Sequence, residues 1–202
     1  MSKPLYRGTF TEGLTRNILL TEDQCFRVNV VLTVGWCNDV FERLKALQWD
    51  QRTEARKELF MSDPQRTYVY GKGENARTYT SIPYQDDVLQ ILNLVNLRGW
   101  NFNAVFLNRY DTEHNQLGWH ADDSPGQDFD HPIGVVSLGA EREIWWRPNG
   151  QTGVVPPEQR QLLEHGSLFL MPPGFQQTHQ HRVPKCGKPT DCRISLTLRK
   201  FL

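Results

Sequence analysis

The chain has 202 residues, enough for one large domain with a substantial hydrophobic interior. Its 23 basic and 23 acidic residues cancel, which excludes a global basic field but leaves room for a local basic groove. No apolar run is long enough to span a bilayer, and the N-terminal "MSKPLYRGTFTEG" lacks the apolar stretch of a secretory signal. The four cysteines (Cys25, Cys37, Cys186, Cys192) form no CxxC pair, so the expectation is an intracellular, cytoplasmic, soluble protein with reduced thiols.

Two segments carry helical periodicity. "CNDVFERLKALQW" spaces Val40, Phe41, Leu44, Leu47 and Trp49 along one side, with Asn38 as a candidate cap. "DDVLQILNLVNLRGW" does the same with Val88, Leu89, Leu92 and Val95, and Asp86 and Asp87 suit its first turn. Between them, "MSDPQRTYVYGKGENARTYTSIPY" mixes tyrosines, glycines and basic residues and reads as a mobile, exposed hairpin or loop pair. After Trp100 come "FNAVFLNRY", "IGVVSLG", "REIWWRP", "SLFLMPP" and "CRISLTLRKF", short apolar or alternating runs punctuated by Gly, Pro, Asn and Asp. Strands repeated this often predict an antiparallel double sheet of the jelly-roll kind, buttressed by the two helices. In "REIWWRP", Trp145 and Trp146 must face opposite sides of one strand, one towards the core and the other free to border a cleft.

"WHADD" within "NRYDTEHNQLGWHADDSPG" places His120 and Asp122 two residues apart, on one face of an extended chain. With a distant second histidine they would complete a 2-His-1-carboxylate facial triad, the ligand set of non-haem Fe(II) oxygenases. By itself an HxD pattern is an ordinary surface turn. "QTHQHRVP" supplies His179 and His181, between which alternation cannot choose. His114, His131 and His165 read as turn or solvated residues. "CRISLTLRK" sets Arg193, Ser195, Thr197 and Arg199 on one face, a cationic surface suited to a carboxylate. Asn108 and Tyr110 in "LNRY" share a face in the same way.

In these motifs ("NRY", "WHADD", "LLEHGSLFLM", "HQHRVP" and "DCRISLTLRK", in that order) the chain resembles the AlkB family of Fe(II)/2-oxoglutarate-dependent dioxygenases. The resemblance runs through the C-terminal half and thins towards the N-terminus. It implies an α+β fold with a double-stranded β-helix (jelly-roll) core, flanking N-terminal helices and a nucleotide-recognition lid. One domain over 1–202 would divide into a helical extension (1–60), the lid (61–85) and the catalytic core (100–202). The family pattern implies Fe(II) held by His120, Asp122 and His181, with 2-oxoglutarate and O2 as co-substrates. It further implies Arg193 on the distal carboxylate of 2-oxoglutarate, with Asn108, Tyr110, Ser195 and Arg199 around its other oxygens. Ser195 replaces a common Asn, and Ser124 stands where the family often has an acidic residue.

The implied reaction is oxidative dealkylation of bases such as 1-methyladenine and 3-methylcytosine in DNA or RNA, releasing formaldehyde with succinate and CO2. A cationic methylated base is cheap to extrude and suits an aromatic or acidic pocket. In the lid, Tyr68, Tyr70 and Tyr79 are candidates to stack on it, with Arg66, Lys72 and Arg77 meeting phosphates. Asp123 is a candidate for base contact or for orienting His120, and Trp119 for core packing beneath the metal. The expected partner is alkylated single- or double-stranded nucleic acid, with no membrane. The alternatives are an oxygenase acting on a protein, lipid or small molecule, and an inactive binding module of the same fold.

Overall fold

The computed structural model describes residues 26–28, 34–71 and 73–202; the rest of the N-terminal segment, with Cys25, and Lys72 lie outside them. In chain order the elements are β1 (Phe26–Val28), α1 (Val34–Lys45), β2 (Asp50–Thr53), β3 (Arg56–Ser62), β4 (Thr67–Tyr70), β5 (Arg77–Thr80), α2 (Asp86–Asn96), β6 (Ala104–Tyr110), β7 (Leu117–His120), β8 (Ile133–Gly139), β9 (Arg142–Pro148), β10 (Arg160–Leu163), β11 (Ser167–Met171), the single turn α3 (Phe175–Thr178), β12 (His179–Val183) and β13 (Arg193–Arg199). A seven-stranded sheet has the order β1-β11-β8-β13-β6-β3-β2, a four-stranded sheet the order β10-β9-β12-β7, and β4 and β5 form a separate hairpin. The named pairs within all three sheets are antiparallel, and the two larger sheets form the expected jelly roll.

Period-two alternation assigns each side of the large sheet a different job. On β13, Ile194, Leu196 and Leu198 are fully buried in a cluster with Val40 and Leu44 of α1 and Val88, Ile91 and Leu92 of α2. Removing such an aliphatic side chain, as in Leu196→Ala, costs about 2–5 kcal/mol. The intervening Arg193, Ser195, Thr197 and Arg199 are also buried, on the opposite face. β3 and β6 repeat the rule: Leu59, Met61, Val105 and Leu107 join the helical cluster, while Arg56, Glu58 and Asn108 are buried and polar. The helices cover one face so that the other can carry chemistry.

The helices hold to the sequence with shifted ends. α1 begins at Val34, so Asn38 lies inside it and does not cap it; Leu47 and Trp49 fall beyond its end but still pack on the cluster. α2 is capped by Gln85, whose side chain accepts from the amides of Asp87 and Val88. Arg43 clips α1 to α2 through two hydrogen bonds of 2.9 and 2.7 Å to Asp87.

Residues 50–60, expected within a helical extension, instead form β2 and most of β3 in the large sheet. In "RKELFM" the residues alternate between the apolar cluster and the polar interior, a two-residue period that no helix satisfies. The hairpin expected at 61–85 exists, with a 3-10 turn at Gly73–Asn75 between its strands, but it is not an exposed flap: Tyr68 and Tyr79 are buried. At the end of β8, Gly139 has φ +84°, and a Cβ there would collide with the Cys192 carbonyl and the Phe41 ring. Among the described residues no helix is long and apolar enough to cross a membrane.

Candidate metal centre and co-substrate pocket

The two sheets bring three distant ligands together. β12 pairs with β7 so that His181 lies directly opposite His120, and their ring centroids are 4.1 Å apart. Asp122 sits just past the end of β7, its Oδ1 3.6 Å from His120 Nε2 and its Oδ2 3.8 Å from His181 Nε2. The candidate ligand atoms of the three residues lie within 4.8 Å of one another, a one-sided N2O set fitting a facial Fe(II) site. His120 Nδ1–H donates to the Gly118 carbonyl at 2.8 Å, which leaves Nε2 as the lone-pair nitrogen. His179 is turned away, its ring stacked on Phe175 at 4.7 Å. Position along β12 thus makes the choice that alternation alone could not.

Neighbouring groups hold these ligands in their binding forms. Burial pushes the Asp122 carboxyl up, but Arg199, then His181 and His120, outweigh it and hold the carboxyl well below the usual range. Burial, with His120 nearby, drives His181 down to about 3 despite the pull of Asp122; burial also lowers His120. Both imidazoles are therefore neutral at pH 7, as metal ligation requires. Asp122 is fixed on every side: Arg199 Nη2 lies 2.8 Å from Oδ2, and the Tyr68 hydroxyl donates to Oδ1 at 3.0 Å. Its amide donates to Gln176 Oε1 at 2.9 Å, and its carbonyl accepts from Gln127 Nε2 at 3.0 Å.

Beside the triad, one cavity is lined by Arg56, Asn108, Thr197 and Arg199. Further along the same sheet, Arg193 lies opposite Tyr110 and donates from Nε to Ser137 Oγ at 2.8 Å. Its Nη1 and Nη2 and the Tyr110 hydroxyl are buried without a hydrogen-bond partner. Buried donors left open in this way are rare, and a guanidinium fork of this kind fits a carboxylate. Ser195 lies between Asn108 and Ser137 in the register.

Outside the triad a cleft of about 730 Å³ opens along the free edge of β7, walled by Tyr70, Glu74, Arg77, Trp119, Asp123 and Gln180. Of the three candidate stacking tyrosines, only Tyr70 reaches it, 5.4 Å from the His120 ring. Tyr68 and Tyr79 face each other across the hairpin and point into the body, where Tyr68 holds Asp122 and Tyr79 donates to Glu58 at 2.8 Å. Arg77 reaches the cleft, but Arg66 does not: its Nη1 donates to the Leu202 carbonyl at 3.2 Å. Trp119, expected beneath the metal, faces the cleft, because His120 takes the inward side of β7. Trp146 is the inward member of its pair, against Phe169.

Sequence reasoning missed Arg56 and Glu58. Glu58, fully buried, is ion-paired with Arg56, accepts from Tyr79 and lies 3.7 Å from Arg77. Arg56 Nε in turn donates to Asn108 Oδ1 at 2.7 Å. This network ties the hairpin to the polar face of the sheet, and the alternation in "RKELFM" was the available signal. Ser124 adds a second tie, its hydroxyl accepting from the Val69 amide at 3.0 Å and so pinning β4 to the metal loop.

Comparison with known proteins agrees with this geometry. The family model of the 2OG-Fe(II) oxygenase superfamily matches residues 14–199. AlkB homolog 3 from Bos taurus is 33% identical over 175 residues, 80% of this chain and 60% of that protein. The DNA oxidative demethylase ALKBH2 from Bos taurus is 29% identical over 213 residues, 96% of this chain and 75% of that protein. The chain thus spans about 60% of the length of its AlkB homolog 3 relatives. The solved structure of OsALKBH1 shares the fold with a TM-score of 0.56 at 16% identity, over 87% of this chain and 97% of that one. A jelly roll with a His-Asp-His centre, matched almost end to end by that family model, makes the chain a member of the 2OG-Fe(II) oxygenase superfamily and, within it, of the AlkB family.

Proposed function

We propose that the protein is an Fe(II)/2-oxoglutarate-dependent dioxygenase that removes N-alkyl groups from nucleobases such as 1-methyladenine and 3-methylcytosine in DNA or RNA. The observation that carries the substrate class is the cleft at His120. It is wide enough for a flat ring, bordered by Tyr70 and Trp119, and carries the carboxylates of Glu74 and Asp123. A flat cation is the ligand such walls favour. Tyr70 is itself braced by the guanidinium of Arg77 at 5.0 Å and of Arg56 at 5.5 Å, so it meets a base as a rigid wall. Names among the relatives, above all DNA oxidative demethylase ALKBH2, support the same reading.

In this reading His120, Asp122 and His181 hold the iron, and Arg193 takes the distal carboxylate of 2-oxoglutarate. Tyr110, Asn108, Ser195 and Arg199 line the path between. Fe(II) with 2-oxoglutarate and O2 supplies the oxidation: 2-oxoglutarate becomes succinate and CO2, the N-methyl carbon is hydroxylated, and formaldehyde leaves the restored base. The protein supplies geometry. Arg199 and Tyr68 keep Asp122 ionised and aimed, Gly118 fixes the His120 tautomer, and the two sheets keep water from the buried side. In the same reading Arg77, which lines the cleft, would meet a phosphate next to the extruded base.

The test is mass spectrometry of oligonucleotides bearing 1-methyladenine or 3-methylcytosine, incubated with protein, Fe(II), 2-oxoglutarate and ascorbate, with succinate measured in the same tubes. Loss of the methyl mass that requires 2-oxoglutarate and vanishes in His120→Ala is the expected result. Succinate without demethylation would overturn the substrate class and keep the oxygenase.

A further inference from the structure

The outer face of the four-stranded sheet carries an alternating row of guanidinium and indole groups. Trp119 on β7, Arg182 on β12, Trp145 on β9 and Arg160 on β10 follow one another across the strands, and the register sets Trp145 opposite Arg182 on one side and Arg160 on the other. Arg182 lies 4.9 Å from the Trp119 ring and 4.4 Å from that of Trp145; Arg160 lies 4.3 Å from Trp145. Arg147, two residues along β9 from Trp145, is 4.1 Å from Trp119. Three cations are thus held by two aromatic spacers on a rigid sheet.

Arg160 donates from Nε at 2.9 Å and from Nη2 to the Val155 carbonyl, a neutral acceptor that leaves its charge uncompensated. Among the described residues none of the three makes a salt bridge, and Glu143, two residues before Trp145 on β9, accepts from Trp145 Nε1 at 2.7 Å. The Nε groups of Arg147 and Arg182 have no hydrogen-bond partner. Burial lowers Arg182, and crowding by Arg147 and Arg160 lowers it further, the sign of a site that gains from an added anion. The row is also continuous with the cleft: Trp119 and Gln180 belong to its wall, and Arg147 Nη2 donates to Gln180 Oε1 at 3.2 Å.

We propose that this face is a track for the phosphate backbone of the nucleic acid whose base enters the cleft, with Arg147, Arg182 and Arg160 meeting successive phosphates and Trp119 and Trp145 holding their planes. The inference rests on the nucleic-acid reading above and extends it from the base to the flanking strand. Because guanidiniums occupy both sides of Trp145, bases do not stack there. Recognition along the track is therefore electrostatic and independent of sequence. A neutral chain gains nucleic-acid affinity this way without a global basic field.

The test compares wild type with Arg160→Glu, on the strand farthest from the cleft, and with Arg147→Glu, by fluorescence anisotropy. The probe is a single-stranded 16-mer carrying one 1-methyladenine, titrated from 50 to 300 mM KCl. Each variant is expected to bind about tenfold more weakly at low salt, and its salt slope should fall by about 0.7 per lost phosphate contact. Demethylation of a methylated trinucleotide, too short to cross the sheet, should be unchanged in Arg160→Glu, and Arg160→Lys should restore most of the affinity. Wild-type affinity and slope in both folded variants overturn the track. Equal loss on the trinucleotide also overturns it, because the effect would then lie in the cleft or the fold. If wild type neither binds nor demethylates any oligonucleotide, the nucleic-acid reading fails first and the track falls with it. If the glutamate variants do not fold, Arg160→Gln and Arg147→Gln are judged by the same two readouts.

Discussion

The metal centre and the β4–β5 hairpin are held in place by different means. His120, His181, Arg193 and Arg199 stand on strands of two packed sheets whose ladders fix them from both sides. The hairpin joins neither sheet as a full strand; its backbone ladder meets the large sheet at the Met61–Ile82 bridge and its flanking bonds. It leans on side chains instead: Tyr68 on Asp122, Tyr79 and Arg77 on Glu58, and the Val69 amide on Ser124. Chemistry that tolerates little displacement sits on the sheets, and the element facing the cleft is held by the packing of Tyr68 and Tyr79 on Phe60 and Phe106 and by polar contacts that can be re-tuned singly.

Substitutions on the sheet side should have the largest effect. Arg193→Leu removes the open fork, and the expected result is a rise in the 2-oxoglutarate KM of about 10²–10³-fold from the loss of two charge-assisted hydrogen bonds. Titrating succinate formation against 2-oxoglutarate checks it, with oligonucleotide binding expected to stay the same.

Next comes the response of the metal-free centre to pH. His181 sits at about 3 when folded and ordinarily at 6.5, so between these values the unfolded chain binds the extra proton. Its share of stability is complete above about pH 6.5 and is lost as pH falls towards 3. Asp122, held below its ordinary 3.8, adds a further loss at the acid end. Urea melts of chelator-treated protein should show a decline on the order of a few kcal/mol across that window. A flat profile would mean that the histidines are not desolvated as the geometry requires.

On the hairpin side, Glu58→Gln keeps the shape but removes the charge that Arg56 and Arg77 share. The expected cost is about 3 kcal/mol of stability, with the oligonucleotide KM raised more than the 2-oxoglutarate KM. Equal rises would mean that the network serves the pocket and not the hairpin. Smallest of all, Ser124→Ala leaves the Val69 amide without its acceptor, for a loss of about 1 kcal/mol. Hydrogen exchange should detect it as faster exchange in β4, with the metal site unaffected.

The difference between the two regions matches what the sequence made legible. "WHADD", "HQHRVP" and "CRISLTLRK" are local patterns, and the metal ligands and buried arginines stand where those patterns put them. Helical periodicity located α1 and α2, though not the start of α1, because a helix end depends on what its first turn packs against. The hairpin is legible, but of its three candidate tyrosines Tyr70 reaches the cleft and Tyr68 and Tyr79 turn into the body. Tyr68, Tyr70 and Tyr79 are chemically alike, and alternation says only that Tyr68 and Tyr70 share a face.

Composition and strand spacing by themselves pointed to a jelly roll with two covering helices and to a strand of alternating arginines, while the resemblance to the AlkB family implied His120, Asp122 and His181 as the iron ligands. Tertiary structure alone decided that Tyr70 and not Tyr68 or Tyr79 borders the cleft, and that Glu58 ties the hairpin down. It also decided that Trp119, Trp145 and three arginines from four separate strands line up in one row. The physical reason is the same in each case. A strand's sequence fixes which residues share a face, but which strand lies alongside, and in what register, is set by contacts between residues far apart in the chain.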